Sequence, residues 1–142
     1  MDRPSLTDVL SRQSQKLDEL FGPGTYHLKE VSSLVSTVET EQVEVQLDYD
    51  PRDRWVSSMI RPLNVTDELR DQYPSETFLR YCGIEPNVRL KSDLNDEQVA
   101  SELELIRPIL DAFADPQNSM RAIYFARGYS TAYTDWASGH WD

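Results

Sequence analysis

The chain predicts an α+β domain, and three observations predict it: apolar residues at helical spacing in the first 21 positions, strict alternation from 42 to 49, and a second helical pattern beginning near Asn95. Ser5 is an N-cap with Asp8 in the first turn, and Leu6, Val9, Leu10, Leu17, Leu20 and Phe21 mark one helix that Gly22-Pro23-Gly24 stops. From Tyr26 to Val38 the run is rich in Val, Ser and Thr, which favours strand, although its apolar residues fit neither period.

Val43, Val45, Leu47 and Tyr49 then alternate with Gln42, Glu44, Gln46 and Asp48, the signature of a strand with one buried face. Asp50-Pro51-Arg52-Asp53 suits a type I turn, because the Asp carboxylate can accept from the backbone ahead and Pro presets φ. The chain returns from Trp55 to Ile60, giving an antiparallel hairpin of about 42–61, and Pro62 ends its ladder for lack of an N–H.

Beyond the hairpin the signals are helical. Thr66 caps one short segment, and Ser75 opens another that ends at Gly83. Asn95 with Gln98 forms a capping box ahead of Val99, Leu103, Ile106, Leu110 and Phe113, and Pro108 predicts a kink or break near Arg107. Asp115-Pro116 reads as the start of a last helix through about Trp136. The expected architecture is therefore an N-terminal helix, a small antiparallel sheet, and three to five helices on one sheet face. No loop is long enough to separate domains, so residues 1–142 read as a single domain.

Composition narrows function by exclusion. The 25 Asp and Glu outnumber 14 Lys and Arg, a net charge of −11, so the mean field repels nucleic acid and anionic lipid. The polar start carries no secretory signal, no apolar run approaches membrane-spanning length, and the expected location is cytoplasmic. Cys82 is the one cysteine and His27 and His140 are the two histidines. Neither a disulfide nor a Cys/His metal site is expected, and no cofactor motif occurs. Cys82 beside the apolar Phe78 and Leu79 reads as an inert thiol rather than a nucleophile.

The acidity is local. Residues 31–50 hold five acids and no base, and residues 91–115 hold seven acids against Lys91 and Arg107, so each block contributes −5 of the total. Glu44 and Asp48 on the outward strand face, with Glu39, Glu41 and Asp50 at its ends, form either a solvated face or a docking surface for a basic partner. The absence of any base between 31 and 50 keeps the docking reading open beside the solvated one, because a merely solvated face usually mixes both signs. Asp93, Asp96, Glu97, Glu102 and Glu104 are partly explained by helix capping.

Trp55 lies between these readings, with Arg52 and Arg54 able to stack on its ring or Arg54 able to pair with a strand carboxylate. Tyr124, Phe125, Tyr129, Tyr133, Trp136 and Trp141 concentrate aromatic mass at the end, where Trp141 is hard to place in a core. The sequence thus points to a non-catalytic acidic protein-binding module, such as an inhibitor or immunity-type protein, with partner-binding residues Glu44, Asp48, Asp50, Arg54, Trp55 and Trp141. The alternatives are an escort for a secreted protein and a small enzyme of unknown reaction.

Overall fold

A computed structural model describes residues 4–63, 73–86, 89–115 and 117. The elements are α1 (Leu6–Ser11), α2 (Ser14–Phe21), β1 (His27–Ser32), β2 (Val35–Glu39), β3 (Val43–Asp50), β4 (Trp55–Pro62), β5 (Tyr73–Pro74), α3 (Ser75–Tyr81) and α4 (Asp96–Ala114). The strands form one antiparallel sheet in the order β1-β2-β3-β4-β5. The α+β class is as expected, and two of the helices expected after the sheet, α3 and α4, fall among the described residues.

Ser5 caps α1 through a reciprocal box with Asp8. The single N-terminal helix is, however, two. The N–H of Arg12 reaches back only to Val9 and that of Gln13 only to Leu10, which tightens the chain before α2 begins. The physical reason is packing: Leu6, Val9 and Leu10 are buried in α1, which meets the sheet, whereas α2 carries Leu17 against α4. Redirecting the axis lets both apolar stretches find cover, and no Gly or Pro in the sequence announces it.

The run from 26 to 38 resolves into β1 and β2, joined at Ser33-Leu34 and irregular between Glu30 and Ser32. That irregularity explains why neither period fitted. The hairpin of β3 and β4 pairs Val43 with Pro62 through Asp50 with Trp55, and strict alternation of burial runs along both strands. As the sequence suggested, Asp50 Oδ1 accepts from the N–H groups of Arg52 and Asp53, but the main-chain bond that closes the turn runs from the Arg54 N–H to the Asp50 carbonyl at 2.6 Å, one residue longer than the expected four-residue turn.

Val38, Val45 and Ile60 align across the sheet on its inner face, where Leu6, Val9 and Leu10 of α1, Phe78 and Leu79 of α3, and Val99, Leu103, Ile106 and Ile109 of α4 complete one hydrophobic cluster. Each such buried side chain contributes about 1.5–3 kcal/mol. Pro108 lies inside α4 without ending it, so of the expected kink or break the break does not occur. The carbonyl it leaves without a helical donor belongs to Glu104, an exposed residue, so water can serve it while Ile106 and Ile109 hold both sides of the helix in the core.

Ser75 is the first residue of α3 rather than its cap, which is Pro74, and its side chain turns inward instead. Asp115 closes α4, and its carboxylate accepts from the N–H of Gln117. The segment capped by Thr66 and the last helix from 116 to 136 lie outside the described residues.

Candidate functional site

The two acidic blocks fare differently. On and before α4, Asp96 pairs with Arg12 at 3.2 Å and Asp93 with Arg54 at 3.3 Å. Glu104 holds both Lys16 and Arg107, and Arg107 also reaches Glu19, so this cluster ties α2 to α4. The two cations beside it hold the Glu104 carboxyl down at about 2. Glu102 is not at the surface at all, with 2% of its side chain exposed. Arg89 donates from Nε and Nη2 to its two oxygens at 2.9 and 3.0 Å, and Ser58 donates to it at 2.6 Å. Having given its single proton to the carboxylate, Ser58 accepts from Ser75 at 2.8 Å. Arg89 continues to Glu76, which pairs with Arg80. Four of the seven acids of the second block are therefore held in ion pairs, while Glu97, Asp111 and Asp115 are exposed with no ion pair among the described residues.

In the first block, Arg61 lies opposite Glu44 and pairs with it at 2.8 Å. Asp48 accepts from Gln46 at 3.2 Å, and Asp50 is spent on its own turn, whose backbone N–H groups lower its carboxyl. Glu39 and Glu41 are exposed and have no ion-pair partner among the described residues. Thr40 fixes their placement: its hydroxyl accepts from the N–H groups of Gln42 and Val43 at 3.2 and 3.1 Å, and its N–H donates to the Val43 carbonyl. These bonds close the β2–β3 turn.

That turn forms one wall of a cleft of about 720 Å³. Opposite it stand Leu20 and Phe21 of α2 and Leu110, Phe113 and Ala114 of α4, with Gly24, Thr25 and His27 completing the rim. Gly22 shapes this end, since its φ of +92° turns the chain out of α2 and a Cβ there would lie 2.8 Å from the Thr25 hydroxyl. Tyr26 stands behind, its ring 6.0 Å from that of Phe21 and its hydroxyl donating to Asp18. The cleft thus has an apolar floor and an anionic wall, and no Lys or Arg is among its described lining residues.

The residues singled out from the sequence are not brought together here. Glu44 and Asp48 lie on the outer sheet face; Arg54 and Trp55 lie at the far end of the hairpin. The cation over Trp55 is Lys91, 5.2 Å from the ring centre, rather than a neighbouring Arg, and Arg54 pairs with Asp93 instead of a strand carboxylate. The reason is tertiary: the loop before α4 docks on the hairpin turn. The Arg54 carbonyl accepts from the Ser92 N–H at 2.8 Å and from the Gln98 side chain at 3.0 Å, and Tyr49 donates to the Ser92 carbonyl. Trp141 and the other late aromatic residues lie outside the described residues.

The cleft is not legible in the sequence because its walls are contributed by segments some 20 to 90 positions apart. Its one signal was the pair Glu39 and Glu41 in a stretch lacking bases. Burial pushes the Cys82 thiol up to about 11, which leaves it a poor nucleophile at neutral pH. No group of three or more metal-ligating side chains occurs among the described residues, and no helix there is long and apolar enough to cross a membrane. Comparison with protein-family models, with curated proteins and with solved structures finds no match.

Proposed function

We propose that this chain is a non-catalytic acidic protein-binding module, of the kind that inhibits or neutralises a basic protein partner in the cytoplasm. The observation that carries the reading is the exposed pair Glu39 and Glu41 at the β2–β3 turn, in a stretch of sequence that holds no base. Asp93, Asp96, Glu102 and Glu104 are matched by Arg54, Arg12, Arg89, Lys16 and Arg107, whereas Glu39 and Glu41, like Glu97 and Asp111 on α4, stand exposed without a counter-ion among the described residues. Asp48 adds a carboxylate on the outer sheet face, where Arg61 offsets the charge of Glu44. Carboxylates so placed speed the approach of a positively charged surface more than they tighten the final complex.

An escort would need a broad apolar surface. Among the described residues the exposed large apolar side chains are Val31 and Leu90, on separate segments, so this surface favours the charged reading. The test is the association rate of the chain with a purified partner taken from its source cell. Raising salt from about 0.01 M to about 1 M shortens the screening length from roughly 30 Å to roughly 3 Å. Association slows accordingly, and Glu44→Lys with Asp48→Lys slows it at low salt. A rate indifferent to salt would sink the proposal.

A further inference from the structure

We infer that the cleft between the end of α2, the β2–β3 turn and the end of α4 receives an apolar side chain carried by a basic segment of the partner, a Leu or aromatic residue flanked by Lys or Arg. The inference rests on the partner-binding reading above and adds where and by what chemistry the partner docks.

Two features of the cleft select this occupant. Its floor of Leu20, Phe21, Val43, Leu110 and Phe113 is continuous with the hydrophobic cluster, so an apolar group entering it leaves water and meets packed carbon on several sides. A volume of about 720 Å³ accommodates a side chain with its flanking backbone.

The second feature is electrostatic. Glu39 stands in register between Glu44 on β3 and His27 on β1, with no ion pair to either, and like charges directly opposite each other across two strands are unfavourable. Arg61 relieves Glu44 from the far side, but it belongs to β4, and β3 separates it from Glu39. Glu41 adds a further exposed carboxylate at the same turn. A cation brought in beside the apolar anchor lies next to Glu39 and Glu41 and supplies what the described residues do not. An acidic or uncharged segment meets the same floor without that gain. The bonds of Thr40 hold the turn in place before the partner arrives, so little ordering is left to be done on binding.

The experiment uses the full chain and a fluorescent, amidated peptide with a Leu-Phe pair between two pairs of lysines. Matched peptides replace the lysines by glutamates or the Leu-Phe pair by serines. The lysine peptide binds the wild-type chain, and both replacements bind at least about tenfold more weakly, the loss expected when an anchor or its rim charges are removed. Glu39→Gln with Glu41→Gln weakens the lysine peptide by roughly tenfold and removes most of its salt dependence, while Glu97→Gln, an exposed acid outside the cleft lining, leaves it unchanged. Ala114→Trp, at the exposed last turn of α4, fills the cleft and abolishes binding; circular dichroism checks its fold, and the double Gln variant serves independently should the plug disturb it.

Equal binding of the glutamate peptide overturns the inference. So does retention of full affinity by the double Gln variant. If the purified partner still associates in a salt-dependent way but ignores both the plug and the double Gln change, the cleft is refuted and the partner-binding reading stands. If neither the peptide nor the partner shows salt-dependent binding, both fall.

Discussion

Replacing Arg89 by Met tests whether the network between β4, α3 and α4 is as tightly coupled as its geometry implies. Glu102 is 2% exposed, and Arg89 supplies the cation that neutralises it through two bonds of 2.9 and 3.0 Å. Arg89→Met removes both bonds and strands a buried carboxylate with only the Ser58 hydroxyl among its described partners. Removing one member of a buried pair costs about 3–5 kcal/mol. Against a whole-domain stability of about 5–15 kcal/mol, that is a large fraction.

Glu76 loses the same partner but keeps Arg80, so its contribution to the loss is small. Urea unfolding followed by tryptophan fluorescence reads the change. With a slope of about 2 kcal/mol per M, the midpoint falls by roughly 2 M without a change of slope. The double change Arg89→Met with Glu102→Leu recovers most of the loss, because a carbon-filled site has no charge to neutralise and Ser58 still pairs with Ser75. A loss under about 1 kcal/mol for Arg89→Met, or a double variant less stable than the single one, refutes the reasoning.

Glu104, held at about 2 by Arg107 and Lys16, contributes stability that is complete above its unfolded value of about 4.3 and is lost as pH falls from there toward about 2. Its side chain is 44% exposed, so screening reduces the effect to about 1 kcal/mol, and Glu104→Gln should flatten the acid limb of unfolding by that amount; parallel limbs would count against it. Arg54 occupies the left-handed region at φ 59°, so Arg54→Gly should be more stable than Arg54→Ala by about 1 kcal/mol in thermal unfolding, both having lost the Asp93 pair; equal stability would mean that the turn carries no such cost. With its pKa at about 11, Cys82 is about one part in a thousand thiolate at pH 8, so iodoacetamide labelling of the folded chain should be far slower than of the urea-unfolded chain, and equal rates would contradict its burial.

What the sequence determined alone is what local chemistry decides. The N-cap at Ser5, the capping box at Asn95, the alternation of β3 and the Asp50 turn are each complete within a few residues, and each is present in the fold. The concentration of acid between 31 and 50 was equally visible, because charge is additive along a chain. Which acids remain free was not, since Glu102 and Glu104 look alike in sequence until Arg89 and Lys16 arrive from 13 and 88 residues away. The same holds for the division of α1 from α2, the persistence of α4 through Pro108, and the exchange of Arg54 for Lys91 at Trp55. In each, the gain from packing or pairing distant segments outweighs a local preference of at most a few kcal/mol. The cleft is the extreme case: its acidic wall belongs to a turn written within five residues, and its apolar floor exists only once α2 and the end of α4 have come together beside that turn.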